Sequence, residues 1–294
     1  MYLVTNRTVE ARFWLKPTPE ATAVVGAWLA YAAERFGIEL YAFVVLSNHV
    51  HLLLRAPQGN LADFMAYWQG NVAKGINALH RRRGPLWQRR YSAEPVLDSE
   101  ALLDRAGYVM ANPVLAHLVA RPEQWPGLTS IGQLLGETAP AFVLFRATAW
   151  RAAGCPADRR PFEQAVCLGV GRLPGFEALS DAQYRDRLRA AVELHVEAAS
   201  AERRRSGRNV LRRAALEAVE PWQRPARPKR SPRPMCHTTS PALWAEYRAT
   251  WRAFIEAYYR AAPRYRDGDV TVTFPAGSFP PSCYPRARCF ASSA

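Results

Sequence analysis

Two histidines one residue apart, in Ser47-Asn48-His49-Val50-His51-Leu52-Leu53-Leu54, are the side chains of this sequence best arranged for chemistry. On a strand, side chains alternate faces, so His49 and His51 project from one side and Val50, Leu52 and Leu54 from the other. The apolar row can pack against a helix and hold both imidazoles rigid. Two neutral imidazoles placed in this way can share one divalent cation. They leave the site incomplete, so it needs a third ligand and a reacting group. The stretch from Ser99 offers both. At about 100° per residue, Leu102, Leu103, Ala106, Val109 and Met110 form its buried stripe. Tyr108 falls on the opposite face with Ala101, Asp104, Arg105 and Asn112. Asp104 and Asn112 each lie one turn from the phenol, and either can supply an oxygen to a metal held by the histidines. A tyrosine hydroxyl beside a metal that polarises a phosphodiester can attack phosphorus and form a covalent phosphotyrosine.

The elements that must position these groups follow from local signals. Tyr2 to Leu15 is rich in strand formers. Thr18-Pro19-Glu20 combines a capping hydroxyl with proline at the first helical position, and Gly37 ends that helix after Phe36. Ile38–Leu46 and His49–Arg55 read as two strands joined by a short turn at Ser47-Asn48. A second helix spans about Leu61 to Leu79. Leu86-Trp87 and Tyr91–Val96 read as extended. A third helix runs from a Ser99 cap to Ala111, with Pro113 as its stop. The order β-α-β-β-α-β-α describes an α+β, ferredoxin-like antiparallel sandwich with one added helix that carries the tyrosine.

The stretch Ser47 to Leu54, followed by Tyr108-Val109-Met110-Ala111-Asn112-Pro113-Val114, resembles the HUH single-tyrosine transposases. The group associated with bacterial repetitive extragenic palindromes (REPs), akin to the IS200-like transposases, is the most similar. Val4 to Thr8, Gly84 to Tyr91 and Pro122 to Ser130 fit the same pattern in order. The resemblance covers roughly residues 1–130. It implies that His49, His51 and Asn112 bind the metal, Mg²⁺ or Mn²⁺, and that Tyr108 is the nucleophile. It also implies a single-stranded, commonly hairpin, DNA substrate. Ser47 stands where relatives often have proline, and His117 reads as a helix-end residue.

Composition agrees with an anionic polymer as partner. The chain has 294 residues, with 39 Lys and Arg against 25 acids and a net charge of +14. Residues 1–150 carry only +3 of this. Arg203 to Arg233 alone carries +9. Arginine suits phosphate through its planar fork and stacks on bases. Candidate DNA contacts are Arg7, Lys74, Arg81, Arg82, Arg83, Arg89 and Arg90, with Trp87 and Tyr91 as stacking platforms and Gln69 as a weaker candidate. Tyr91 is also the rival nucleophile, although no polar group lies near it at helical spacing.

Four segments are expected: a catalytic domain at 1–130, a helical basic accessory region at 131–220, a Pro/Arg-rich linker at 221–240, and a C-terminal part at 241–294. The last should hold an aromatic helix over Leu243–Tyr259 and a strand over Val270–Pro275. Cys155, Cys167, Cys236, Cys283 and Cys289 show no CxxC spacing, so free thiols are the expectation, with zinc at Cys236, His237, Cys283 and Cys289 as the alternative. No leader or membrane segment is evident, which points to a cytoplasmic, nucleoid-associated protein without an organic cofactor. A homodimer is an allowed assembly. The competing functional readings are a DNA-binding protein that keeps the motif without catalysis, and an HUH relaxase or replication initiator.

Overall fold

The computed structural model describes residues 1–211, 213–225 and 234–281. In chain order, the first elements are β1 (Tyr2–Arg7), α1 (Pro19–Phe36), β2 (Glu39–Leu46), β3 (His49–Arg55), α2 (Leu61–Leu79), β4 (Ser92–Pro95) and α3 (Ser99–Leu115). They are followed by α4 (Ile131–Leu134), β5 (Ala141–Phe145), α5 (Ala147–Ala152), β6 (Glu163–Cys167), α6 (Asp181–Ser206) and α7 (Arg213–Ala218). All of these lie in a compact unit, Met1–His237. A second unit begins at Thr238 and holds α8 (Pro241–Arg266).

The caps explain where the first helix starts and stops. Thr18 Oγ1 accepts from the Ala21 N–H at 3.2 Å, Pro19 follows, and Gly37 closes the helix at φ 60°. A left-handed residue at this point costs glycine nothing and most other residues a Cβ clash. β2 and β3 then form a hairpin in which Leu46 pairs with His49. The sheet order is β2-β3-β1-β4 with antiparallel neighbours throughout, which is the ferredoxin-like arrangement.

Each face of this sheet has its own core. Val50, Leu52 and Leu54 of β3 pack with Val25, Leu29, Phe64, Trp68 and Val72 of α1 and α2. Leu53, one register out, packs instead with Leu102, Ala106, Val109 and Met110 of α3. Burying a Leu or Phe contributes about 2 kcal/mol. A one-residue slip of β3 would therefore reverse many such contributions at once. Both sheet edges are covered. The Val45 N–H donates to Leu128 O at 2.8 Å, and the Ser130 N–H to Phe43 O at 2.9 Å. On the other side, the His237 N–H donates to Pro95 O at 2.7 Å.

Several local expectations need correction. Asp98, not Ser99, caps α3, its Oδ1 accepting from the Ala101 N–H at 2.8 Å. The helix also passes through Pro113 to Leu115. Proline removes one donor there, while the turn continues through Ala116 N–H to Asn112 O at 2.9 Å. The imidazole-bearing face is covered by α3, and α6 in turn packs along α3. Leu188, Ala191, Val192, Val196 and Ala199 of α6 are buried in the same core as the α3 stripe. Residues 131–220 are not helical alone. β5 and β6 form a hairpin whose Phe142 sits on Gly26, where an added Cβ would lie 2.4 Å from the ring. Gly207, at φ 64°, ends α6, and the rest of the region expected to be helical up to 220 keeps only the short α7.

In the second unit, Ser240 caps α8 by accepting from the Leu243 N–H at 3.3 Å. No strand forms over Val270–Pro275. Instead, Asp269 Oδ1 accepts from the Thr271 N–H and hydroxyl, pinning a turn. Phe274 then folds back onto Tyr258 and Tyr265, at 5.5 and 5.6 Å between ring centroids. Among the described residues, no helix is long and apolar enough to cross a membrane.

The α3–α6 seam has little room for a side chain at its centre. A Cβ on Gly107 would lie 2.6 Å from the Ala191 carbonyl oxygen, a backbone atom that cannot swing aside. Gly107→Ala is expected to destabilise the first unit by about 1–3 kcal/mol through overpacking. A lowered urea midpoint would show this, and an unchanged midpoint would contradict the seam.

Candidate active site

His49 and His51 lie on the α3 face of the sheet, with ring centroids 5.1 Å apart. Antiparallel register puts Arg7 opposite His49 and Thr5 opposite His51. Tyr108 reaches this pair from α3, its ring 5.6 Å from His51 at an interplanar angle of 84°. Asn112 is buried, and its side-chain amide lies close enough to His49 and Tyr108 to bear on the ionisation of both. The four side chains therefore meet within one chain, drawn from one strand and one helix.

The structure separates the two candidates for the third ligand. Asn112 lies against His49 and Tyr108. The Asp104 carboxylate is half exposed and engaged elsewhere, with Arg105 and His195. Helical spacing alone put both one turn from the phenol. Packing against the sheet sets the C-terminal one beside His49.

Charge and burial set the protonation states. Burial, then the Arg7 charge, pushes His49 down to about 4 against the opposing hydrogen bond to Asn112. His51 is held well below its ordinary value by burial, then by His49 and Arg7. Both imidazoles are thus neutral at neutral pH, with lone pairs available. The tautomer of His49 can also be read. Asn48 Nδ2 donates to Ala11 O at 2.9 Å, which turns its Oδ1 toward His49 Nδ1 at 2.6 Å. That oxygen can only accept, so the proton sits on Nδ1 and the lone pair on Nε2. Tyr108 is raised above its ordinary value by burial, an effect that Asn112 and Arg105 oppose and Glu94 reinforces. The phenol is therefore protonated at neutral pH.

These residues suit a divalent cation. They offer two neutral imidazoles and an amide, and His51 Nδ1 is buried without a hydrogen-bond partner. A buried polar atom left in this way costs about 1–3 kcal/mol. Among the described residues, no three His, Cys, Asp or Glu side chains gather into a metal-holding group. At the zinc alternative, Cys236 is buried with its thiol pushed up by burial, and His237 Nε2 donates to Glu94 Oε2 at 2.9 Å. Cys283 and Cys289 lie outside the described residues.

The other sequence candidates are placed less uniformly. Lys74, Arg81, Arg83, Arg89 and Arg90 are exposed, and Arg7 is partly so. Arg82 is instead engaged within the fold, donating to Asn77 Oδ1 and Pro85 O and lying 4.5 Å over the Trp14 ring. Trp87, expected as a stacking platform, is turned inward. Its Nε1 donates to Gln69 O at 3.0 Å, and its ring lies 6.2 Å from Trp68. Tyr91 packs against the α1–α2 core, and burial raises its phenol. It is not next to the histidine pair.

Sequence reading missed two polar neighbours of the site, Glu94 and His195. Glu94 points to the α3 face from β4 and pairs with His237, both side chains 12% exposed. His195 reaches Tyr108 from α6, with ring centroids 5.9 Å apart. Neither has a local signal, because their partners lie 143 and 91 residues away in sequence.

Comparison with known proteins follows the same lines. A family model described as "Transposase IS200 like" matches residues 17–111. A curated Haemophilus influenzae protein described as a "Putative REP-associated tyrosine transposase" is 27% identical over 104 residues. The match takes in 32% of this chain and 59% of that relative, so the chain spans about three fifths of its length. One solved structure, described as the REP-associated tyrosine transposase bound to a REP hairpin, is 18% identical. It covers 46% of this chain and 79% of its own, with a TM-score of 0.39. A second, a "putative transposase" of Deinococcus radiodurans R1, is 25% identical, covers 34% and 80%, and has a TM-score of 0.29.

Asp104 supplies a pH test of the groups around Tyr108. Burial opposes its ionisation, but hydrogen bonds and charge from His195 and Arg105 outweigh this and hold the carboxyl at about 2, below its ordinary 3.8. A depressed folded-state value stabilises the fold above the unfolded value, and this contribution is lost as pH falls through the folded one. The stability advantage of wild type over Asp104→Asn is therefore expected in full above pH 3.8 and to fade toward about pH 2. Chemical unfolding at stepped pH measures it, and a difference that does not change with pH would exclude these contacts.

Proposed function

We propose that this chain, which carries an IS200-like transposase domain over residues 17–111, nicks single-stranded DNA and transfers the cut strand through a covalent phosphotyrosine on Tyr108. The reading rests chiefly on one observation. The Tyr108 ring lies 5.6 Å from that of His51, and the buried Asn112 amide lies beside both Tyr108 and His49. His49, His51 and Asn112 would hold a Mg²⁺ or Mn²⁺ ion, which when bound polarises the scissile phosphate and offsets its developing charge. Asn48 keeps His49 in the tautomer that leaves Nε2 free to bind it.

In the nicking step the Tyr108 oxygen bonds to phosphorus and the P–O3′ bond breaks. The phenol gives up its proton and the departing 3′-oxygen gains one, leaving a 5′-phosphotyrosine and a 3′-hydroxyl. Attack on that link by a second 3′-hydroxyl reverses the exchange and rejoins DNA without ATP. The exposed Lys74, Arg81, Arg83, Arg89 and Arg90 supply charge for backbone phosphates, a contribution that positions the strand and carries no sequence information. A hairpin or palindromic substrate follows from the resemblance in the motif residues.

Incubation with labelled, hairpin-flanked single-stranded DNA and Mn²⁺ tests the reading on a denaturing gel. Wild type is expected to give a covalent adduct that is lost in Tyr108→Phe and in excess chelator. An adduct that persists in Tyr108→Phe would reject Tyr108 as nucleophile. Hairpin affinity that is unchanged by chelator, with no adduct from wild type, would favour a non-catalytic DNA-binding protein. Asn48→Ala is expected to weaken Mn²⁺ binding about 10–100-fold by releasing the His49 tautomer. Titration followed by electron paramagnetic resonance reads this directly, and an unchanged affinity would refute the role given to Asn48.

A further inference from the structure

α6 lies beyond residues 17–111, yet two of the groups that fix Tyr108 depend on it. Three side chains surround the Tyr108 ring. His51 meets it at 5.6 Å and 84°, and His195 of α6 at 5.9 Å and 73°. The Arg105 guanidinium carbon lies 4.9 Å from the ring centroid. Asp104 ties the last two together. His195 Nε2 donates to Asp104 Oδ1 at 3.0 Å and lies 3.1 Å from the Asp104 carbonyl oxygen. Arg105 Nε donates to Asp104 Oδ2 at 2.9 Å, and its Nη2 reaches the same oxygen. All of these acceptors are oxygens, so the His195 ring proton that matters is the one on Nε2.

A tyrosine on a helix has several staggered side-chain positions, and in-line attack on a phosphate uses only one of them. We propose that His195, Asp104 and Arg105 form a clamp, closed from α6, that holds the Tyr108 phenol in its attacking position. This rests on the reading of Tyr108 as the nucleophile. His195 then acts as a positioning residue: it touches the ring of Tyr108 and orients the Asp104 carboxylate, which in turn holds Arg105 over that ring. The seating of α6 does not depend on His195. Leu188, Ala191, Val192, Val196 and Ala199 bury its inner face, and Arg187 Nη2 donates to both Glu100 oxygens at 2.8 and 2.9 Å. Removing the imidazole should therefore loosen the phenol without detaching the helix.

The experiment uses the full chain labelled with 3-fluorotyrosine, with the Tyr108 ¹⁹F line assigned by its loss in Tyr108→Phe. His195→Ala is expected to shift and broaden that line. It should also slow single-turnover adduct formation at saturating hairpin DNA by tenfold or more, with DNA affinity within twofold of wild type. His195→Gln, which keeps an amide donor toward Asp104, should recover at least half of both effects. A His195→Ala line and rate indistinguishable from wild type would overturn the clamp, as would a glutamine variant no better than alanine. If wild type itself forms no adduct, the nuclease reading fails, and the fluorine line alone still decides whether the clamp exists.

Discussion

β3 serves two chemistries because its side chains alternate. Val50, Leu52 and Leu54 lie in one core, against α1 and α2. His51 and Leu53 face the other, under α3. The apolar row fixes the register, and the register aims the imidazoles. Burial of the histidine face then keeps both rings neutral, so their lone pairs are not taken up by protons. Position and protonation state thus share one physical origin, the packing of a half-polar strand between two layers.

α3 is the second layer of that arrangement, and it is held from both sides. Toward the sheet, Leu102, Ala106, Val109 and Met110 are buried. Away from it, Gly107 admits the backbone of α6 at a distance that no side chain would allow. A side chain on a helix packed this closely has little freedom, and groups preorganised in this way need little reorganisation when they act. The dense packing also accounts for the protonated phenol, since burial opposes phenolate.

Much of the first 115 residues was legible locally. Thr18, Pro19 and Gly37 bound α1 where their chemistry dictates, and the turn at Ser47-Asn48 sets the β2–β3 register. The fold class follows from the order of these elements. The errors have physical causes too. Pro113 suggested a helix end, but a proline in the final turn removes only one bond, and α3 continues. Trp87 reads as an exposed aromatic in a basic stretch, and its burial against Trp68 depends on a partner in α2. The β5–β6 hairpin lies in a region expected to be helical, although Ala141–Phe145 is rich in strand formers, and it packs Phe142 onto Gly26.

The sequence by itself determined the site's inventory: two histidines at strand spacing, a tyrosine and an asparagine at helical spacing, and a basic excess suited to phosphate. Each depends on a period of two or about 3.6 residues, which local backbone geometry imposes. Only the tertiary structure set Asn112 rather than Asp104 beside His49, turned Trp87 inward, brought His195 to the Tyr108 ring and paired Glu94 with His237. Those choices depend on contacts between residues up to 143 positions apart. Such contacts arise from how layers pack, and no local period records them.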